Sequence, residues 1–177
     1  GLNRLTNMAD ASGTTVFTYT PTGQLLTEDG PWSNDTLTYG YSQGLRTSLS
    51  LNSQPPTLNH SYSYDSAWRL GTLSTLAGTF NFGYNVGQSV SPAPLVRSIG
   101  LPNAAYITNH FDSLNRLDYT ALVNYWGHVL DGASYTHDAL GLRTNIVRDF
   151  GLTNNSVSIA YDAINQIASW AAKESSG

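Results

Sequence analysis

The stretch SYSYDSAWRL, residues 61–70, returns in related form three more times along the chain. The related stretches are TNHFDSLNRL at 108–117, SYTHDALGLR at 134–143 and SIAYDAINQI at 158–167. Each copy has an aromatic or imidazole ring directly before an aspartate. Self-similarity of this kind is typical of repeat architectures, in which each copy forms one supersecondary unit. The sequence therefore predicts a series of similar units.

The ring before the aspartate, or the residue that takes its place, is the anchor of each unit. Successive anchors are 20 to 27 residues apart. The anchors are Tyr19, Tyr41, Tyr64, Tyr84, Phe111, His137 and Tyr161. The chain opens with LNRL at 2–5, which repeats LNRL at 114–117. We therefore expect it to begin inside a unit and to be a fragment of a longer protein.

Large apolar residues alternate with small or polar ones before several anchors. The segments LTYGY at 37–41, FNFGY at 80–84 and VSIAY at 157–161 all show this period of two. A period of two is typical of a β-strand with one face buried. Each anchor is therefore predicted to end a strand.

An aspartate follows the anchor in four units, at Asp65, Asp112, Asp138 and Asp162. Aspartate favours the first position of a type I turn, because its carboxylate accepts a hydrogen bond from the backbone two residues later. Glycine or asparagine suits the position three residues after the aspartate, where φ is positive, and Gly141 is an example. Trp68 is expected to depart from this pattern, because tryptophan is a poor left-handed residue.

These patterns predict an all-β fold of tandem hairpins in one curved, twisted antiparallel sheet. We expect a single repeat region over residues 1–177, with about eight hairpin units of which the first is truncated. An irregular proline-rich insertion is predicted near 87–105. The composition agrees, because the 16 Gly and 11 Tyr residues are typical of β-structure with tight turns.

Composition also excludes several classes of function. The net charge is −4 and only 11% of residues are charged, so a nucleic-acid partner is not expected. The chain has no cysteine, and its four histidines show no metal-binding spacing. No apolar run has the length of a membrane span. We therefore expect no metal, no cofactor and no membrane segment.

The pattern of an aromatic residue, Asp, two residues, Gly or Asn, then Arg and Leu resembles the YD repeat of Rhs proteins, ABC-toxin shells and teneurins. The matches include Tyr64-Asp65 with Arg69, Phe111-Asp112 with Arg116, and Tyr161-Asp162. The resemblance implies hairpins joined into a spiralling shell that encloses a toxin domain. It implies a non-catalytic structural or interaction segment of a secreted or cell-surface bacterial protein. The implied partner is the remainder of the parent chain. Separately, open sheet edges tend to pair with one another, so self-association is also expected.

Two other classes of function remain open. Exposed rings could bind carbohydrate, and Tyr125, Trp126 and His128 in the segment NYWGH are the best local candidates. Trp32, Trp68 and Trp170 could also stack on sugar rings. The repeated aspartates alternatively permit a glycosidase-like hydrolase on the concave face of the sheet. The turn role explains these aspartates without catalysis, so the sequence favours the absence of enzymatic activity without deciding it.

Overall fold

The computed structural model describes residues 3–52, 58–84, 95–149 and 154–174. These residues form fifteen β-strands and no helix. Each strand is hydrogen-bonded to its neighbours in sequence, in one open sheet. Every pair with a described register is antiparallel. The predicted all-β fold of antiparallel hairpins is confirmed. Within the described ranges, no helix has the length and apolarity needed to cross a membrane.

The chain divides into two compact units, residues 1–80 and 81–177. The first contains β1 (Asn7–Asp10), β2 (Gly13–Tyr19), β3 (Leu25–Asp29), β4 (Leu37–Ser42), β5 (Leu45–Leu51), β6 (Asn59–Tyr64) and β7 (Leu70–Thr75). The division falls inside β8 (Gly78–Tyr84). The second contains β9 (Val96–Gly100), β10 (Tyr106–Phe111), β11 (Leu117–Val123), β12 (Val129–His137), β13 (Arg143–Asp149), β14 (Asn154–Tyr161) and β15 (Ile167–Glu174).

The strands of the first unit carry different chemistry on their two faces. Tyr39 of β4 lies opposite Leu49 of β5, which lies opposite His60 of β6. Their immediate neighbours in sequence form the other face, where Gly40, Ser48 and Ser61 lie in one row. Because successive side chains point to opposite faces of a strand, one face is aromatic and aliphatic and the other is mainly serine, threonine and glycine.

The second unit shows the same alternation with fewer hydroxyl residues. Tyr135, Ile146 and Val157 form a row across β12, β13 and β14. On the opposite face Thr108, Ala121 and Gly132 lie in a row. The buried hydrophobic residues of the described chain are Tyr39, Ala105, Ala121 and Val123. This small core indicates that most side chains pack only against neighbours within the sheet.

Every anchor coincides with a shift in strand register. Tyr64 lies opposite Leu70, whereas Ser63 lies opposite Thr72, so the second strand has one extra residue. The same shift occurs at the other six anchors. A bulge of this kind bends the strand and increases its local right-handed twist. The repeat therefore specifies a bulged hairpin.

The predicted proline-rich insertion lies only partly within the described chain. Residues 85–94 lie outside the described residues. Val96–Gly100 forms the regular strand β9, which pairs with β8 on one side and β10 on the other.

Candidate functional site

The repeated aspartates hold the hairpin turns. Oδ1 of Asp65 accepts hydrogen bonds from the backbone N–H of Ala67 at 2.9 Å and of Arg69 at 3.0 Å. The backbone N–H of Trp68 donates to the carbonyl of Asp65 at 3.0 Å. Asp112, Asp138 and Asp162 make the same set of bonds. The predicted aspartate-capped turn is therefore confirmed, as a three-residue loop that ends in a left-handed residue.

Trp68 does not depart from this turn as its side chain predicts. Its φ is 62°, the same as that of Asn115 and close to the 63° of Asn165. The hydrogen bonds of Asp65 hold the loop in the repeat geometry even though a bulky residue is disfavoured there. The expectation of a departure at this position was wrong.

A further turn of the same kind holds the predicted ligand-binding residues. Oδ1 of Asn124 accepts the backbone N–H of Trp126 at 3.0 Å and of His128 at 2.9 Å. Gly127 takes the left-handed position with φ 84°. This turn joins β11 to β12, so it lies at the other end of those strands from the turns that begin at Asp112 and Asp138. The signal in the sequence was Asn-x-x-Gly, an amide version of the aspartate motif.

Tyr125 and Trp126 project from this turn. Their side chains are 71% and 76% exposed. Their ring centroids are 5.8 Å apart and the planes meet at 74°. Because the two rings meet edge to face, they do not form one flat surface on which a sugar ring could stack. A ligand-binding role for Tyr125, Trp126 and His128 stays a prediction.

The anchor tyrosines connect neighbouring hairpins. The hydroxyl of Tyr19 donates to the carbonyl of Leu5 at 2.7 Å, and that of Tyr41 to the carbonyl of Leu25 at 2.8 Å. The hydroxyl of Tyr64 donates to the backbone carbonyl of Arg46 at 2.8 Å, and that of Tyr161 donates to the backbone carbonyl of Arg143 at 2.9 Å. Each acceptor lies in the preceding hairpin, beyond the last described backbone pair between the two hairpins. We call these bonds the tyrosine ties.

Two anchors have no phenolic hydroxyl, namely Phe111 and His137. In the unit of Phe111, the side-chain amide of Asn109 donates to the carbonyl of Val96 at 3.0 Å. Val96 lies opposite the preceding anchor, Tyr84, so its carbonyl is the one that a tyrosine at 111 would reach. Asn109 thus supplies the connection that Phe111 lacks.

The residue that follows the left-handed position of a turn can also bond the next hairpin turn along the chain. Arg116 Nη1 donates to the carbonyl of Asp138 at 3.0 Å, across to the next hairpin turn. Gln24, at the corresponding position, donates from Nε2 to the carbonyl of Gly44 at 2.9 Å. These bonds run in the opposite direction along the chain from the tyrosine ties. The forward bond from Arg116 therefore connects the unit of Phe111 to the next unit, whose anchor His137 has no hydroxyl to make a tyrosine tie.

Arginine side chains pair with three carboxyl groups, those of Asp65, Asp112 and Asp131. Arg69 Nε donates to Asp65 Oδ2 at 2.7 Å and holds the pKa of that carboxyl below its ordinary value. The backbone and side chain of Arg116 do the same to the pKa of Asp112. Arg148 lowers the pKa of Asp131 through a pair of 2.8 Å. A general acid of a glycosidase needs a raised pKa, so these groups suit ion pairing and turn capping instead.

Asp131 and Arg148 line a concavity of about 380 Å³ on the face of the second unit that carries Tyr135. The guanidinium of Arg143 lies over the Tyr135 ring, 3.9 Å from its centroid. Among the described residues, no three histidine, aspartate or glutamate side chains are grouped to hold a metal ion.

The chain is similar in structure to one part of a much longer solved chain. It superposes on the crystal structure of TcdB2-TccC3-TEV with a TM-score of 0.71 and 15% identity, covering 92% of this chain and 9% of that one. The structures of TcdB2-TccC3-Cdc42 and TcdB2-TccC3 align with TM-scores of 0.43 and 13% identity, over 91% of this chain and 12% of theirs. No protein-family model matches the sequence, and no curated protein does.

This chain therefore spans about a tenth of the length of the solved chains it matches. At 15% identity the similarity establishes the fold alone. The resemblance is thereby confirmed at the level of the fold: the chain is an all-β hairpin-repeat sheet similar in structure to part of TcdB2-TccC3-TEV.

Proposed function

We propose that this chain is a structural wall segment of a secreted or cell-surface, Rhs-like YD-repeat protein of bacterial origin. Its role is non-catalytic, and its main partner is the remainder of a longer parent chain. The observation that carries the proposal is the set of tyrosine ties. They connect four hairpins to the ones before them, at Tyr19, Tyr41, Tyr64 and Tyr161. Hairpins that acted as independent binding modules would not need such connections.

Two further observations support a wall. The similarity to TcdB2-TccC3-TEV covers nearly the whole chain but only 9% of the larger one. A thin sheet with few buried residues is also a poor independent domain, because little apolar surface is removed from water. We therefore propose one continuous repeat region whose open edges pair with further hairpins, either of the parent chain or of a second copy.

The test uses the full-length parent chain and limited proteolysis. Tyr41→Phe and Tyr161→Phe together remove two tyrosine ties while keeping both rings. If the segment is a wall, the double variant exposes sites elsewhere in the parent chain to protease. Tyr125→Phe is the matched control, because its ring is exposed and belongs to no tie. Loosening of this segment alone, with the rest of the chain equally protected, would contradict the proposal.

Carbohydrate binding by Tyr125, Trp126 and His128 is a second candidate function. The observation that favours it is the exposure of both rings at a defined turn. A glycan array with the full-length parent chain and with its Trp126→Ala variant tests it. Binding that disappears with the substitution would support recognition at this turn, whereas equal binding would assign it elsewhere. We propose no hydrolase, because the four repeated aspartates cap turns. In the described part of the chain, the carboxyl groups with a shifted pKa also have it lowered.

A further inference from the structure

Arg143 does not occupy the place of the arginines that bond to the turn aspartates. Arg69 and Arg116 each stand four residues after the turn aspartate and pair with its carboxylate. In the turn of Asp138 the fourth residue is Leu142, and the arginine comes one residue later. Because successive side chains of extended backbone point to opposite sides, this exchange moves the guanidinium away from the turn aspartate and onto the other face.

The strand register shows what the exchange does to Arg143. It lies opposite its anchor His137, whereas a leucine lies opposite the anchor in the units of Tyr64 and Phe111. The guanidinium packs over the ring of Tyr135, and its buried Nε makes no hydrogen bond within the part of the chain that the structure describes. A buried donor without an acceptor costs free energy. The repeat fold alone therefore does not require an arginine at this position.

The first unit contains the same arrangement together with a carboxylate. The segment GLRT occurs at 44–47 and again at 141–144. Arg46 lies opposite its own anchor, and its guanidinium is 4.7 Å from the centroid of the Tyr39 ring. The hydroxyl of Tyr39 donates to Glu28 Oε2 at 3.3 Å. The tyrosine under this arginine therefore has a carboxylate as its acceptor.

Thr120 takes the place of that glutamate in the second unit. Glu28 lies opposite the residue two positions before Tyr39, and Thr120 lies opposite the residue two positions before Tyr135. The threonine side chain is shorter, and its hydroxyl donates to Asn109 Oδ1 at 2.7 Å. The hydroxyl of Tyr135 therefore has no carboxylate in this place, and it bonds to none of the described residues.

Arg143 and Tyr135 both line the concavity of about 380 Å³ in the second unit. Small-molecule sites have volumes of about 300–1,000 Å³. The aliphatic lining residues are Ile107, Leu122 and Ile146. Two other charged residues line it, Arg148 and Asp131, and they pair with each other at 2.8 Å. The positive charge of Arg143 is therefore the one that an anionic group on an apolar ligand would complement.

We propose that this concavity binds a small ligand in which a carboxylate is joined to an apolar group. The carboxylate accepts hydrogen bonds from the hydroxyl of Tyr135 and the guanidinium of Arg143, in the place that Glu28 has beside Tyr39. The apolar group packs against the aliphatic lining. The wall role stands on the tyrosine ties and does not depend on ligand binding, so failure of this proposal would leave it unchanged.

The test measures binding to the full-length parent chain by calorimetry and ligand-observed NMR. The probes are isocaproate, which represents a free fatty acid, and N-acetylleucine, which represents the carboxyl end of a peptide. Isocaproamide and N-acetylleucinamide have the same shapes without the charge. We expect at least one acid to bind roughly tenfold more tightly than its amide, because hydrogen bonds to an ionised group are the stronger ones.

The two acids distinguish the sources of the carboxylate, since the one that binds more tightly identifies the ligand class. Absence of binding by both acids would overturn the proposal. Equal binding of each acid and its amide would overturn it as well, because the charge would then have no part in recognition.

Arg143→Leu is the diagnostic variant, because leucine lies at this position in two other units and the backbone carbonyl that accepts from Tyr161 is kept. We expect acid binding to weaken roughly tenfold. Tyr135→Phe removes only the hydroxyl and should also weaken binding. Arg46→Leu is the matched control from the first unit and should leave binding unchanged. Undiminished binding by Arg143→Leu, or equal losses with Arg46→Leu, would contradict the assignment.

Thr120→Glu tests the same site without an added ligand. It places a carboxylate at the position that corresponds to Glu28, within reach of Tyr135 and Arg143. Thr120→Gln is matched in size and loses the same bond to Asn109. We expect Thr120→Glu to have the higher melting temperature of the two and to bind neither acid. A melting temperature no higher than that of Thr120→Gln would mean that these donors do not recognise a carboxylate.

Discussion

The hydroxyl of Tyr161, at the end of β14, donates a hydrogen bond of 2.9 Å to the carbonyl of Arg143, the first residue of β13. The described backbone pairing of these two strands ends at Asn145 and Ser158. The tyrosine therefore connects the two hairpins beyond the point where the ladder stops. The ring that anchors the sequence repeat is thus also a connection between repeats.

Removing this hydroxyl tests how much the connection contributes to stability. Tyr161→Phe should lower the free energy of unfolding by about 1 kcal/mol, the usual net value of one hydrogen bond. Tyr161→Ala should cost about 2 kcal/mol, because it also removes a half-buried ring. Urea denaturation measures both. Tyr125→Phe should change nothing, and an equal loss in that control would refute a specific role for the tie.

Adding a hydroxyl at the two anchors that lack one, His137 and Phe111, should increase stability. His137→Tyr should raise the free energy of unfolding by about 0.5–1 kcal/mol, because a new hydroxyl can reach the carbonyl of Leu117. Phe111→Tyr should gain less, since Asn109 already occupies the carbonyl of Val96. Thermal melts of the two variants compare these gains. Equal gains, or a larger one for Phe111→Tyr, would mean that Asn109 does not replace the tie.

The turn caps can be tested at Asp138, whose Oδ1 accepts the N–H groups of Leu140 and Leu142. Asp138→Ala should cost about 1 kcal/mol, because both donors lose their acceptor. Asp138→Asn should stay within about 0.5 kcal/mol of the wild type, because an amide oxygen can accept the same bonds. Asn124 does so in its own turn. A large loss with asparagine would show that charge, rather than the acceptor oxygen, holds the turn.

The ion pairs predict a dependence of stability on pH. The pKa values of Asp65 and Asp112 are lowered from 3.8 by hydrogen bonds from Arg69 and Arg116. The unfolded state then binds protons more readily than the folded state. The stability from these pairs is therefore present above a pH of about 4 and is lost as the pH falls through the folded-state pKa.

Asp112→Asn measures this contribution, because it removes the charge and keeps the oxygen. We expect the variant to be less stable than the wild type at neutral pH and the difference to shrink as the pH is lowered below about 4. Asp138→Asn is the control, since Leu142 stands where Arg116 stands in the other turn. A difference for Asp112→Asn that persists unchanged into acid would exclude the ion pair as its cause.

The local structure was largely predictable from the sequence. Strand alternation before Tyr41, Tyr84 and Tyr161 predicted the strands, and the aspartate motif predicted the turns, because both signals depend on adjacent residues. The turn at Asn124 was missed because the repeat was aligned on a ring followed by aspartate. This turn begins with asparagine instead of aspartate, and it lies at the other end of the strands from the aspartate turns.

Connections between hairpins could not be predicted in the same way. Whether Tyr161 reaches Arg143 depends on the register between β13 and β14, which belong to different hairpins. No local propensity fixes that register. The conformation of Trp68 was mispredicted for a related reason, because five hydrogen bonds around Asp65 outweigh the preference of one side chain.

The direction of the tyrosine ties has a consequence for how the chain is made. Each hydroxyl reaches a carbonyl 14 to 18 residues earlier in the sequence. During synthesis the acceptor has therefore left the ribosome before its donor, and a newly emerging hairpin finds its docking point already formed. The sheet can grow hairpin by hairpin from the amino terminus, with each completed unit serving as the template for the next.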